Sequence, residues 1–343
     1  MNNKKVKVAV NGAGRIGRAF IKKAITRKEI ELVAINDLGD RENIAYLLKY
    51  DTAYGPSDLN IKATDSSIKI GNQEIAFYSE ADPQKLPWKD LDVDVVVEST
   101  GVFTTYEKAR GHIKAGAKKV VISAPAKSDP KDDTEATVLM GINDSALKTC
   151  EVSSNASCTT NGGSPLIQIL KENLGVEKAM LSTVHGYTSS QAIVDSPNKK
   201  DFRRGRAAAQ NIIPTSTGAA RATTLAITDL KDKFDGIAIR VPVISGSIAD
   251  ITFISSKDTT VEEVNDVLRK ASKEDRWEGV FSVTEEPLVS SDILSSNYAS
   301  IADLAMTRVV DGNLVKVMAW YDNEMGYTHT LVEHVVRTAS YIK

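Results

Sequence analysis

Cysteine is nearly absent: Cys150 and Cys158 are the only two in 343 residues. Two thiols eight positions apart build no disulfide framework and no four-cysteine zinc site, so no metal is expected and a reducing, cytoplasmic setting is. No apolar run reaches the ~18 residues of a membrane helix, and Met1-Asn2-Asn3-Lys4-Lys5 leads straight into a strand without a cleavage signal, so no membrane partner is expected. The formal charge of −2 excludes global attraction to nucleic acid. Any anion must be held by local clusters, and no obligatory nucleic-acid partner is expected. Histidine is scarce too, at four residues, which makes a search for a catalytic base short.

Hydrophobic residues make up 42% of the chain, enough for a sizeable core. The length exceeds one typical domain of ~100 to 200 residues, so two are expected. There is no internal repeat and no low-complexity tract.

Ser154-Asn155-Ala156-Ser157-Cys158-Thr159-Thr160-Asn161 surrounds one of the two thiols with small polar groups. The stretch follows a short strand and precedes a helix predicted over 163–174, with apolar Leu166, Ile169 and Leu170. A thiol at a strand-to-helix junction gains acidity from the helix N-terminus, and a thiolate is the nucleophile. A buried packing cysteine would have apolar neighbours; these are hydroxyls and an amide.

Val6-Lys7-Val8-Ala9-Val10 is a β-branched strand followed by Gly12-Ala13-Gly14-Arg15-Ile16-Gly17 and a helical stretch. This is G-x-G-x-x-G in a strand-turn-helix context, where the glycines allow the tight turn, the approach of a pyrophosphate and close helix packing. A second strand ends at Asp37, twenty residues past Gly17, where a carboxylate bonds ribose hydroxyls and repels a 2′-phosphate. NAD is favoured over NADP. Further strands end at Ser99-Thr100-Gly101 and Ser123-Ala124-Pro125, so cofactor contacts and Cys158 come to one rim of a parallel sheet. Residues 61–78, with a Gly71-Asn72 turn, read as short antiparallel strands forming a side excursion.

His185 ends a strand at 178–184 and is the histidine best placed to meet a strand-end thiol. His112 lies in a helical stretch over 105–117. His329 and His334 flank Leu331, Val335 and Ala339 of a terminal amphipathic helix and read as surface residues. From 186 to 205 no apolar periodicity appears, but Lys199, Lys200, Arg203 and Arg204 do, followed by Pro214-Thr215-Ser216-Thr217-Gly218 and by Arg240 at a strand end. Arginine with clustered hydroxyls suits phosphate. Strands at 247–255, 301–309 and 314–321, with a helix at 261–271, complete an α+β second half, mainly antiparallel.

These motifs, NGAGRIGR (11–18), STGVF (99–103), SNASCTTN (154–161), TVHGYT (183–188), PTSTGAA (214–220), RVP (240–242) and WYDNEMGY (320–327), closely resemble those of the phosphorylating glyceraldehyde-3-phosphate dehydrogenase family, in order and spacing. The resemblance implies an α/β chain with a Rossmann-type NAD-binding domain over 1–157, a catalytic α+β domain over 158–324, and a C-terminal helix over 325–343 that packs back on the first. It implies a small-molecule substrate and inorganic phosphate, a homotetramer, Cys158 as nucleophile and His185 as acid and base. Thr188 and Arg240 would hold the substrate phosphate, and Ser157, Thr159, Arg204, Thr217 and Gly218 the attacking phosphate. Gly12, Gly14, Arg15, Ile16, Gly17, Asp37, Thr100, Ser123 and Asn323 would line the NAD site. Gly162 departs from the family where many members carry a second cysteine, and Ala13 and Ala81 replace a common Phe and Arg. Ser196, often Leu in strictly NAD-dependent members, leaves room for NADP. The rivals are erythrose-4-phosphate dehydrogenase, in which the thioester is hydrolysed, the semialdehyde dehydrogenases, and a non-catalytic dinucleotide or RNA binder.

Overall fold

The computed structural model describes residues 5–199 and 201–342; Lys200 of the basic run lies outside the described residues. The chain forms two compact units. One runs to Ala156 and takes back the chain from Leu331, and the other is Ser157–Thr330.

The first unit contains β1 (Val6–Asn11), β2 (Ile30–Asn36), the small pair β3 (Tyr50–Asp51) and β4 (Gly55–Pro56), then β5 (Ile61–Ala63), β6 (Ser67–Ile70), β7 (Gln73–Tyr78), β8 (Val95–Glu98), β9 (Lys119–Ile122), β10 (Glu135–Thr137) and β11 (Val152–Ser154). Its helices are α1 (Arg15–Ala24), α2 (Arg41–Lys49), α3 (Tyr106–Ala109) and α4 (Gly111–Lys114). Among the described residues nine strands form one sheet, ordered β10-β11-β9-β8-β1-β2-β7-β6-β5. From β10 to β7 every neighbour is parallel. Val95, Val96 and Val97 are wholly buried, as a strand covered on both faces requires. β1 lies between β2 and β8, so the chain leaves it in one direction and returns on the other side. That reversal opens a crevice at the carboxyl ends of β1 and β8.

Residues 61–78 do form antiparallel strands with the turn at Gly71, but not as a side excursion. β7 pairs in parallel with β2, so the hairpin extends the main sheet. The stretch 105–117 is two short helices, α3 and α4, with His112 fully buried in the second.

The second unit contains α5 (Cys158–Leu174), β12 (Lys178–Gly186), β13 (Ile213–Ser216), α6 (Ala219–Ala226), β14 (Phe234–Val241), β15 (Ser247–Ile254), α7 (Val261–Ala271), β16 (Phe281–Thr284), β17 (Ser300–Asp303), β18 (Arg308–Val310) and β19 (Leu314–Tyr321). Its sheet, ordered β13-β14-β12-β15-β19-β17-β16 with β18 beside β19, is mainly antiparallel. α5 covers one face, lying against β15, β17 and β19. The strand expected over 301–309 is interrupted by a 3₁₀ turn at Leu304–Met306.

The terminal helix α8 (Met325–Ala339) contributes its residues from Leu331 onward to the first unit. His334 there is not a surface residue: it is fully buried. Asn155 Oδ1, 3.0 Å from its Nδ1, can only accept, so Nδ1 carries the proton and Nε2 accepts from Ser153 Oγ at 2.8 Å. Those partners make an apolar-face histidine tolerable.

Burial pushes His334 down to about 3, and burial with the Arg240 guanidinium pushes His185 down to about 3. The unfolded chain therefore binds two protons that the folded chain refuses between about pH 6.5 and 3. Stability due to these groups is complete above about pH 6.5 and falls with pH through that window, at about 1.4 kcal/mol per pH unit for each histidine. Urea midpoints measured from pH 7 to 4 should fall less steeply in His334→Gln than in the parent chain. Equal slopes would contradict a neutral, buried His334.

Candidate active site

α5 begins at Cys158, five residues before the expected start, because Ser157 caps it: its Oγ accepts from Thr160 N at 3.1 Å. Such a cap stabilises a helix by about 1 kcal/mol. The residue before the cap, Ala156, is buried with φ of 56°, a left-handed conformation that a side chain adopts only under constraint. Ser154 Oγ, accepting from Ala156 N at 3.1 Å, supplies part of that constraint. The nucleophile's helix thus starts from a fixed turn.

Cys158 is half-buried, and its Sγ lies 3.3 Å from Nε2 of the buried His185. β12 and β14 run parallel with His185 opposite Arg240, so both side chains arrive at the same strand ends. Gly186 O lies 2.6 Å from His185 Nδ1 and, as a carbonyl, can only accept. Arg240 Nη1, 2.5 Å from the same nitrogen, can only donate, so these two contacts call for opposite tautomers; activation of the thiol requires the one with the proton on Nδ1 and Nε2 free to accept from Sγ. Arg240 Nη1 lies against Nδ1 and donates to Gly186 O at 3.1 Å.

Burial raises the Cys158 thiol above its usual range, while the Arg240 cation and the Thr159 donors draw it down. With His185 held low, the resting pair is neutral thiol and neutral imidazole. Arg240 is itself pushed down by burial, its Nε has no hydrogen-bond partner, and among the described residues it pairs with no carboxylate. A half-buried guanidinium that pairs with no carboxylate calls for an anionic ligand.

Tyr321 is the residue that sequence reasoning passed over. Its hydroxyl lies 2.6 Å from Thr183 Oγ1 and 3.1 Å from Thr159 Oγ1, and its ring packs edge-on against His185 at 5.8 Å. It buttresses both the thiol's helix and the base. The available signal is its place in the alternate row Val315, Val317, Ala319, Tyr321 of β19, which the structure buries. Tyr321 also explains Gly162: a Cβ there would come 2.8 Å from the Tyr321 ring. Gly162→Cys should destabilise the fold by roughly 1 to 3 kcal/mol in thermal denaturation. A melting temperature equal to the parent's would show that the ring yields freely.

The other expected phosphate residues are held locally. Thr188 N and Oγ1 both donate to Gln191 Oε1, at 3.0 and 3.2 Å, and Arg204 Nε donates to Thr215 Oγ1 at 2.9 Å. Thr217 Oγ1 accepts from Ala219 N at 3.1 Å, at the start of α6, whose cap is Gly218. Ser157 is engaged with Thr160 and Thr159 with Tyr321.

In the first unit the glycine loop has the shape a dinucleotide requires. Gly12 has φ of 97°, and a Cβ there would lie 2.7 Å from Thr100 N; one at Gly17 would lie 1.9 Å from Gly12 O. Gly14, by contrast, caps α1 without a side-chain bond and has nothing within 4 Å of a Cβ position. The start of α1 therefore leaves room beside Gly14, and a helix N-terminus is where a pyrophosphate binds. Asp37 accepts from Ala13 N at 2.6 Å and Gly39 N at 2.7 Å, which fixes the carboxylate and leaves lone pairs for ribose hydroxyls. Arg15 turns to Asp51 at 2.9 Å. Thr100 Oγ1 donates to Glu98, and Ser123 Oγ meets Ser99 Oγ at 2.8 Å. In the second unit, Asn323 Oδ1 accepts from Gly246 N and Ser247 Oγ, fixing the orientation of its amide. The first unit's residues fit NAD.

Two family models match the chain: glyceraldehyde 3-phosphate dehydrogenase, NAD binding domain, over residues 6–106, and glyceraldehyde 3-phosphate dehydrogenase, C-terminal domain, over 157–323. The chain belongs to the glyceraldehyde-3-phosphate dehydrogenase family. Its relatives include the glyceraldehyde-3-phosphate dehydrogenase of Geobacillus stearothermophilus, 46% identical over 337 residues that cover 98% of each chain. That of Thermotoga maritima is 49% identical over 330 residues, covering 95% of this chain and 97% of its own. The Clostridium acetobutylicum protein is 46% identical over 340 residues, 98% of each. As a family member the chain is an oxidoreductase whose cofactor is NAD.

Proposed function

We infer that this chain oxidises D-glyceraldehyde 3-phosphate and phosphorylates it to 1,3-bisphosphoglycerate. The observation that carries the reading is the Cys158, His185 and Arg240 cluster: a nucleophile 3.3 Å from an imidazole nitrogen, beside a half-buried cation that pairs with no carboxylate among the described residues. His185 Nε2 takes the thiol proton as Sγ attacks the aldehyde carbon and returns it to the former carbonyl oxygen, giving a thiohemiacetal and a neutral imidazole. The same imidazole removes the hydroxyl proton as the carbon is oxidised to a thioester. Gly12, Gly14, Arg15, Ile16, Gly17, Asp37, Thr100, Ser123 and Asn323 would hold NAD, which when bound would supply the hydride acceptor. A phosphate oxygen then attacks the thioester carbon, the C–S bond breaks and Cys158 is released. Arg240 and Thr188 hold the phosphate of the substrate; Ser157, Thr159, Arg204, Thr217 and Gly218 hold the attacking phosphate.

Mixing the enzyme with NAD and glyceraldehyde 3-phosphate in phosphate-free buffer should leave an acyl adduct on the Cys158 peptide, detectable by mass spectrometry. Added phosphate should discharge it. An adduct on Cys150, or none with turnover continuing, contradicts the assignment.

The working form we propose is a cytoplasmic homotetramer. Phe202 and Ile193, in the loop after β12, are 86% and 83% exposed, and Met180, Val184 and Ile237 lie bare on the outer face of the second unit's sheet. Apolar surface of this kind fits burial against further copies. Sedimentation as a monomer at micromolar concentration would contradict it. Among the described residues no helix is long and apolar enough to cross a membrane.

A further inference from the structure

Three adjacent parallel strands of the first unit each end in a buried polar residue: Asn36 on β2, Asn11 on β1 and Glu98 on β8. They stand in register, Asn11 opposite both Asn36 and Glu98, and so form one row across the sheet. Asn36 Nδ2 donates to Asn11 Oδ1 at 2.7 Å, and Asn11 Nδ2 donates to Glu98 Oε2 at 2.6 Å. From the other side Trp88 Nε1 donates to His112 Nδ1 at 3.0 Å. An indole only donates, so Nδ1 accepts and His112 Nε2 carries the proton, which it gives to Glu98 Oε2 at 3.0 Å. Thr100 N and Oγ1 bond the remaining oxygen, Oε1. All donors converge on one carboxylate, and each bond polarises the next.

Each strand end continues directly into a segment of the cofactor rim: Asn11 into the glycine loop, Asn36 into Asp37, Glu98 into Ser99 and Thr100. The rim segments touch one another as well. Gly12 lies flush on Ser99 and Thr100, and Ala13 N binds Asp37.

We propose that Glu98 is a positioning residue for the cofactor, the shared acceptor through which the Trp88–His112 and Asn36–Asn11 chains hold the three rim segments in register for NAD. Glu98 acts through Thr100 and Asn11 rather than by touching the ligand. The inference rests on the reading of this rim as the NAD site. Because its two oxygens face donors only, an amide in its place sets one N–H against another N–H while keeping the volume.

Glu98→Gln should raise the Kd for NAD, measured by titration calorimetry, and the KM for NAD by roughly tenfold, as loss of a charge-assisted hydrogen bond does. The kcat at saturating NAD and the KM for glyceraldehyde 3-phosphate should stay within about twofold of the parent. Trp88→Phe removes the donor that fixes the His112 tautomer, and should raise the Kd by about threefold; combined with Glu98→Gln it should add little, since the two act through one chain. A folded Glu98→Gln enzyme with the parent Kd, or a fall in kcat with KM for NAD unchanged, overturns the proposal. Should that variant not fold, an unchanged Kd in Trp88→Phe does so. Failure of the parent enzyme to bind NAD would instead remove the reading of the rim on which the inference stands.

Discussion

Replacing Cys158 with serine is expected to lower dehydrogenase turnover by at least roughly 10⁴-fold while leaving NAD affinity unchanged. A serine hydroxyl in the same place is far less acidic than a thiol, and His185, held low by burial and Arg240, is a weak base for it. The alkoxide also leaves poorly from the acyl stage, so attack by phosphate slows as well. Cys150 cannot substitute: it is buried and its thiol is pushed up to about 11 by that burial. NADH formation and calorimetric NAD binding, measured on one preparation, separate loss of chemistry from loss of fold. Turnover within tenfold of the parent would end the covalent mechanism.

His185→Asn should lower kcat by about 10² to 10⁴, the usual contribution of a positioned acid and base. The asparagine amide can still bond Gly186 O, so the backbone at the end of β12 stays satisfied. What is lost is the acceptor 3.3 Å from Sγ. Alkylation of Cys158 at neutral pH should slow in parallel, because the thiol then depends on Arg240 and the helix start alone for its acidity. A large fall in kcat with unchanged alkylation would assign His185 to the hydride step only and remove it from thiol activation.

Much of this site was legible from the chain because it is built from local backbone. The glycine loop announces itself through spacing, since the turn at Gly12 and the contact of Gly17 on Gly12 span only six residues. Cys158 and His185 stand out in the sequence as polar residues at strand ends. What was hidden depends on register. That Arg240 meets His185 follows from the parallel pairing of β12 with β14 across 55 residues, and that Tyr321 braces both follows from β19 crossing under α5. His334 was misread from its chemistry against its spacing: it lies on the apolar side of α8 with Leu331 and Val335, and Ser153 and Asn155 make its burial possible. The helix start at Cys158 rather than 163 was masked by glycine and β-branched threonine, weak helix formers that the Ser157 cap overrides. The Glu98 network is hidden for a further reason: its partners Asn11 and His112 lie away from it in the chain and meet the carboxylate only through the sheet register and the packing of α4.

The most direct test of the central claim is the initial rate of NADH formation from glyceraldehyde 3-phosphate and NAD, measured with and without inorganic phosphate. Sustained turnover is expected only when phosphate is present, with a burst of about one NADH per Cys158 in its absence as the thioester accumulates. Sustained turnover at the same rate without phosphate would mean that water discharges the thioester, and would contradict phosphorolysis as the function of this site.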